Sequence, residues 1–160
     1  MKKPATAFLI FHLFLAGCGG EPAVQPPPPP TMVDIRVESG ANANPDNNGL
    51  ASPVQVRIYT LRGASGFNAA DFFAIYDREQ ATLGGDLIDK QELLLKPGES
   101  QKITLQPADQ AHVLGFFAAF RELDTARWRA TADIQAHQTQ QLTVKLNNNQ
   151  LTVQPAEPAH

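Results

Sequence analysis

The chain has 160 residues, of which 42% are hydrophobic and 18% charged, with a formal net charge of −3. With 13 Lys and Arg set against 16 Asp and Glu, it has no basic footprint for nucleic acid and no polybasic patch for anionic lipid. One cysteine in the whole chain excludes an intramolecular disulfide.

Met1, Lys2 and Lys3 make a positive start, and residues 8–16 form an apolar run broken only by His12, the length of a signal-peptide core. That run is shorter than the about 20 apolar residues a membrane-spanning helix needs. Leu15-Ala16-Gly17-Cys18 then reads as a bacterial lipobox. Its small residues admit the lipoprotein signal peptidase, the Cys18 thiol takes a diacylglycerol, and the amine freed by cleavage takes a further acyl chain. Residues 1–17 are thus expected to leave as a signal peptide, removing Lys2 and Lys3 but no acid, so that the formal charge moves from −3 to −5. Each buried methylene of an acyl chain contributes about 0.8 kcal/mol, and two or more chains anchor stably where one binds reversibly. Cys18 is therefore read as an attachment point and its acyl chains as the only non-protein groups expected. Gly19, rather than aspartate, follows the cysteine. That choice points to the outer membrane.

Residues 18–30 carry the lipidated cysteine and a tether that ends in five prolines, Pro26 to Pro30. Proline fixes φ and lacks an amide donor, so the stretch cannot join a sheet; it is either a stiff polyproline II spacer or a plain disordered one. A β domain is expected over residues 31–155 and a short tail over 156–160. Val33, Ile35 and Val37 alternate with Asp34, Arg36 and Glu38, as in a half-buried strand. A loop over residues 40–53 follows, long for a hairpin connection and rich in asparagine; it is either an ordinary solvated loop with Asn44-Pro45-Asp46 as a turn or, as long ordered loops often are, functional. Val54, Val56 and Ile58 then alternate with Gln55, Arg57, Tyr59 and Leu61, a second strand whose other face is partly covered.

After Gly66 the period changes. Ala69, Phe72, Phe73 and Tyr76 recur at helical spacing, which predicts a short amphipathic helix over residues 68–78. Asn68 is its expected N-cap, with Asp71 as the reciprocal partner and Phe72 and Phe73 plugging one end of a sandwich. Further strands are predicted over 91–96, 101–106, 113–121, 131–136, 141–146 and 151–154. Pro97-Gly98 suits a type II turn and is expected to close a hairpin, and Asn147-Asn148-Asn149 serves the last pair. The apolar run from Val113 to Phe120 reads as a central strand covered on both faces, with a buried helix as its competitor. Trp128 is expected to bury against the sandwich, with Arg57, Arg121 or Arg129 pairing Glu122 or Asp124. Seven or eight short strands with regular turns read as an all-β, antiparallel β-sandwich.

Catalytic patterns are lacking in the sequence. His112, His137 and His160 show no metal-ligand spacing, Leu83-Gly84-Gly85-Asp86 lacks the lysine and spacing of a phosphate loop, and Ser52, Ser65 and Ser100 sit in turns without a nucleophile elbow. Neither an enzyme nor a metal protein is expected.

A set of ordered features matches a known family. Asn44-Pro45-Asp46, the stretch from Ser52 to Leu61, Phe67 with Ala70-Asp71-Phe72-Phe73, Pro97-Gly98-Glu99, Ala118-Ala119-Phe120-Arg121 and Trp128-Arg129, together with the lipobox, resemble the TssJ (SciN) lipoproteins of the type VI secretion system. The resemblance implies a transthyretin-like sandwich with an added helical element. It also implies a lipoprotein on the periplasmic face of the outer membrane that holds the periplasmic C-terminal region of the inner-membrane protein TssM and, through it, completes a complex with TssL. In that family the loop between the first two strands contacts TssM. Carried over, the contact residues would be Asn42, Asn44, Pro45, Asp46, Asn47 and Asn48, in a loop more compact than in longer members. The competing expectation is a lipid-anchored ligand-binding module, which needs a concave apolar pocket with convergent polar groups.

Overall fold

The computed structural model describes residues 25–156; the signal peptide, the lipobox with Cys18, and the ends of the tether and tail lie outside them. Eight strands form two four-stranded sheets: β1 (Met32–Ser39), β2 (Val54–Leu61), β3 (Leu87–Leu95), β4 (Ser100–Leu105), β5 (Val113–Ala119), β6 (Arg129–Asp133), β7 (Thr139–Asn147) and β8 (Gln150–Pro155). The first sheet has the order β4-β1-β7-β8 and the second β3-β2-β5-β6. Pairing is antiparallel except between β1 and β7, which run parallel from Met32 opposite Thr139 to Ser39 opposite Leu146.

The alternation seen in sequence builds the core. Val33, Ile35 and Val37 of the first sheet meet Val54, Val56 and Ile58 of the second, with Leu114, Phe116 and Ala118 of β5 and Leu142, Val144 and Leu146 of β7 filling the layer between. All are buried, so each large side chain adds about 1.5–3 kcal/mol of transfer free energy. On β2 the opposite face is buried as well: Tyr59 and Leu61 point outward with Val113 and Phe117 into a second cluster. The strand reading of Val113 to Phe120 holds, and the buried-helix competitor falls away, because β5 lies inside its sheet and is covered on both sides.

The cover is helical and differs from expectation in four respects. Among the described residues there are two α-helices, α1 (Ser65–Ala69) and α2 (Phe72–Leu83). Asp71, not Asn68, caps the longer one, its carboxylate accepting from the Ala74 amide at 2.8 Å, since extended backbone at Ala70 separates the two helices. α2 also runs past Arg78, where non-helical angles mark a kink. The pair lies across the outer face of the second sheet and does not plug an end. Phe67, Phe72, Ile75 and Leu83 pack onto Tyr59, Phe117 and Trp128, whereas Phe73 is 58% exposed. Gly115 of β5 makes the fit possible, because a Cβ there would sit 3.2 Å from the Phe67 ring.

A polar clamp fixes α2. Glu79 accepts the Tyr59 hydroxyl at 2.6 Å and Arg57 Nη1 at 3.2 Å, and also takes Lys90; Arg57 reaches on to Glu92 at 3.1 Å. Burial and then Glu79 push the Tyr59 phenol up. Burial would raise Glu79 too, but Lys90, Tyr59 and Arg57 outweigh it and hold the carboxyl below its ordinary 4.5. Arg57, Arg121 and Arg129 do not pair with Glu122 or Asp124. Arg57 and Arg129 face the helices, where Arg129 donates to the Phe67 carbonyl at 3.0 Å, while the two acids sit in an end loop.

The turn expected at Pro97-Gly98 forms, with Gly98 at φ 78° and the Glu99 amide bonded to the Lys96 carbonyl at 3.0 Å. It does not close a hairpin. β3 pairs with β2 and β4 pairs with β1, so the turn carries the chain from one sheet to the other. The Asn147–Gln150 turn does close the β7–β8 hairpin, with Asn148 in the left-handed region at φ 50°.

Because its folded pKa is lowered, Glu79 contributes stability above its unfolded pKa and loses it as pH falls through the folded value. Glu79→Gln should therefore cost on the order of 2–3 kcal/mol at neutral pH. It should also flatten the acid limb over the range in which pH falls below the ordinary carboxylate value of 4.5. Asp46 and Glu99, also lowered, will keep part of that limb. Chemical denaturation across that range checks both effects; an unchanged acid limb would exclude the clamp as its source.

Candidate partner-binding pole

Strand direction separates the two ends of the molecule. Residues 25–30 of the tether are exposed and carry no regular structure. Their last turn is held to the β6–β7 connection: His137 Nδ1 lies 3.1 Å from the Pro29 carbonyl, the His137 amide donates to Thr31 Oγ1 at 2.9 Å, and the Met32 amide to the Gln138 carbonyl at 2.9 Å. β1 then runs its eight residues to Ser39, about 26 Å at strand rise, before loop 40–53 begins. The tether and the loop thus occupy opposite poles.

The loop crosses between sheets, since β1 and β2 belong to different ones. Its start is tied down by Gly40, whose amide donates to the Leu146 carbonyl at 2.8 Å and whose carbonyl accepts from Gly98 at 3.3 Å. A Cβ at residue 40 would strike the Asn147 side chain. Asn44 comes next, 3% exposed and at φ 48°, a left-handed conformation asparagine tolerates better than most residues. Its Nδ2 donates to the Pro53 carbonyl at 2.7 Å and its Oδ1 accepts from the Arg121 amide at 2.8 Å, while its own amide reaches the Asn148 carbonyl at 2.6 Å. One buried residue therefore joins loop 40–53, the β5–β6 connection and the β7–β8 turn, the first two through its carboxamide and the third through its backbone amide.

Beyond it the chain closes on Asp46. The Asp46 carboxylate accepts from the Asn48 amide at 2.8 Å and the Leu50 amide at 2.9 Å, and the Asp46 amide bonds to the Leu50 carbonyl at 2.9 Å. Those bonds, from Leu50 first and Asn48 second, hold the carboxyl below its ordinary 3.8. Neighbouring segments complete the pole: Arg121 Nη1 reaches Ser52 Oγ at 3.3 Å, Asn149 Nδ2 donates to Thr125 Oγ1 at 2.7 Å, and the Arg127 amide to the Asn149 carbonyl at 3.0 Å.

The six loop residues singled out in sequence divide into two sets. Asn44 is spent inside the fold, and Asp46 commits one carboxylate oxygen, Oδ1, to the loop; Pro45 and Asp46 are half-buried. Asn42, Asn47 and Asn48 are exposed. Leu50, 66% exposed, lies in the same loop and is not among the six. Its signal in the sequence is an aliphatic residue between Gly49 and Ala51 that belongs to no periodic pattern. Among the described residues no group of His, Cys, Asp and Glu is placed to hold a metal ion, and no helix is long and apolar enough to cross a membrane.

Asn44→Ala should lower the stability of the domain by roughly 2–4 kcal/mol, through two orphaned partners and a strained backbone. Asn47→Ala and Asn48→Ala should leave the unfolding temperature nearly unchanged. Thermal unfolding of the three variants checks the division; equal losses in all three would refute it.

A family model described as "Type VI secretion lipoprotein, VasD, EvfM, TssJ, VC_A0113" matches residues 31–149. A search of curated proteins returns no match. Among solved structures the chain is similar to the type VI secretion lipoprotein TssJ1 of Pseudomonas aeruginosa, at 38% identity and TM-score 0.79, over 82% of this chain and 100% of that one. It shares its fold with Lip of Serratia marcescens, a membrane-bound component of the type VI secretion system, at 20% identity and TM-score 0.74, over 82% and 99% of the two chains. The fold recurs at 24% identity and TM-score 0.66, over 79% and 99%, in a structure described as the TssM C-terminal domain from EAEC. A family match over most of the chain, with a relative of the same fold at that identity, shows that this chain belongs to the TssJ (SciN) family of type VI secretion lipoproteins.

Proposed function

We propose that this lipoprotein fixes the envelope-spanning secretion complex to the outer membrane through acyl chains on Cys18. Loop 40–53 then holds the periplasmic C-terminal region of a TssM-like inner-membrane protein, with TssL linked indirectly. The observation that carries the reading is the placement of tether and loop at opposite ends of β1. A chain anchored by its N-terminus presents that loop away from the lipid, toward whatever rises from the other membrane. The structure described for a TssM C-terminal domain supports a partner of that type.

Exposed Asn42, Asn47 and Asn48 supply donors and acceptors, and Leu50 a small apolar anchor, on a base made rigid by Asn44 and Asp46. Such a base binds with little ordering cost, which favours affinity. The role is structural, as in the family, and not catalytic. A ligand-binding reading finds less support: the depression on the outer face of the first sheet is open and lined mainly by Asp34, Arg36, Glu38, Lys102, Thr143 and Lys145. Those walls lack the apolar enclosure a small-molecule site requires.

Cys18→Ala should yield a folded domain that no longer fractionates with outer membrane on a density gradient; retention there would remove the anchor from the account. Replacing Asn47, Asn48 and Leu50 together with Ala should weaken capture of a TssM C-terminal fragment about tenfold, equivalent to about 1.4 kcal/mol. The unfolding temperature should stay unchanged. Full capture by that variant would place the contact elsewhere.

A further inference from the structure

The two sides of the sandwich are finished differently. On one, β6 and β8 approach each other and a bridge between Arg127 and Gln150 ties the sheets together. On the other, β4 and β3 stand as edges. β4 is six residues long, between the Pro97-Gly98 turn and Pro107. β3 is nine residues long and contains neither proline nor glycine, and among the described residues no strand pairs with its outer edge. Soluble proteins blunt such edges with short strands, proline or bulges. β3 has a register shift only at its first pair, and it ends with Leu94 at 64% exposure.

Its sequence is complementary to itself. Two copies of Leu87–Leu95 laid antiparallel about Gln91 set Lys90 of each opposite Glu92 of the other and Ile88 opposite Leu94, with matched residues on the same sheet face. Leu87 and Leu95 lie outside the match, since the register shift puts Leu87 on the helix-covered face while Leu95 is buried in the core, and Asp89 opposite Leu93 is unmatched. The charges are available for such pairing. The Lys90 side chain is 32% exposed and that of Glu92 44%, and an ammonium and a carboxylate each hold more hydrogen bonds than the clamp uses.

We propose that β3 is a homotypic docking edge, on which a second copy of this chain pairs antiparallel, centred on Gln91. The two four-stranded sheets then join into one across a two-fold axis. One strand pair buries less surface than a stable soluble dimer requires, so pairing depends on the high local concentration of copies held on one membrane.

The two-fold axis makes the test direct, because residue 91 faces its own counterpart at about 4.5–5.5 Å between Cβ atoms, near disulfide range. The full-length lipoprotein in membranes, carrying Gln91→Cys, should form a disulfide-linked dimer under mild oxidation about tenfold faster than one carrying Lys102→Cys on exposed β4. The chain without either substitution gives the background. Adding Leu94→Lys to Gln91→Cys should return the rate to that of Lys102→Cys, and Leu94 is exposed enough for that variant to fold. Equal rates at residues 91 and 102, or no effect of Leu94→Lys, would overturn the proposal. So would a disulfide to a different envelope protein in place of the dimer.

Discussion

The pole formed by loop 40–53 depends on the side chain of Asn44. A carboxamide offers both donor and acceptor on one planar group, and here each finds a backbone partner from a different segment. Its backbone has to enter the left-handed region to do so. Serine lacks the reach and aspartate the donor; glycine would relieve the strain but leave the Pro53 carbonyl and the Arg121 amide without partners. Three connections that would otherwise be independent loops become one surface, from which the exposed asparagines and Leu50 project.

Much of this architecture was legible in the sequence. Residues 54–61 alternate so regularly that the strand was placed to the residue, and the fully apolar run in β5 announced a strand with two covered faces. Pro97-Gly98 specifies the turn but not the hairpin expected from it. Dihedral preferences specify how a chain reverses, not which neighbour the next strand chooses; that was decided by the matches of β1 with β4 and of β2 with β3. The helical segment forms, but its expected cap and bounds shift for a related reason. Asn68 and Asp71 are both good caps, and the sequence does not show that extended backbone at Ala70 hands the longer helix to Asp71. Asn44 was the least visible residue of the site, since a buried amide and a solvated one look alike within an asparagine-rich loop.

The second sheet shows how a β-sandwich carries extra structure without losing its core. Outward-facing Tyr59, Leu61, Val113 and Phe117 would be exposed in a plain sandwich, and α1 and α2 bury them. Aromatic contacts do much of this work: Phe72 lies 5.0 Å from the Phe117 ring and 5.4 Å from Trp128, and Arg57 rests over Tyr76 at 5.1 Å. Glu79 then satisfies the polar groups trapped beneath. Among the described residues the first sheet has no such roof. Asp34, Arg36, Lys102 and Lys145 face out from it directly.

The direction of β1 also has a mechanical consequence. A pull between the tether and loop 40–53 acts along this one strand, which is hydrogen-bonded on both sides, to β4 over six residue pairs and to β7 over eight. Tension of that kind loads the two ladders in shear, so their bonds resist together and do not open one after another as in peeling. The element best placed to be torn out by such traction is therefore the one gripped along both its margins.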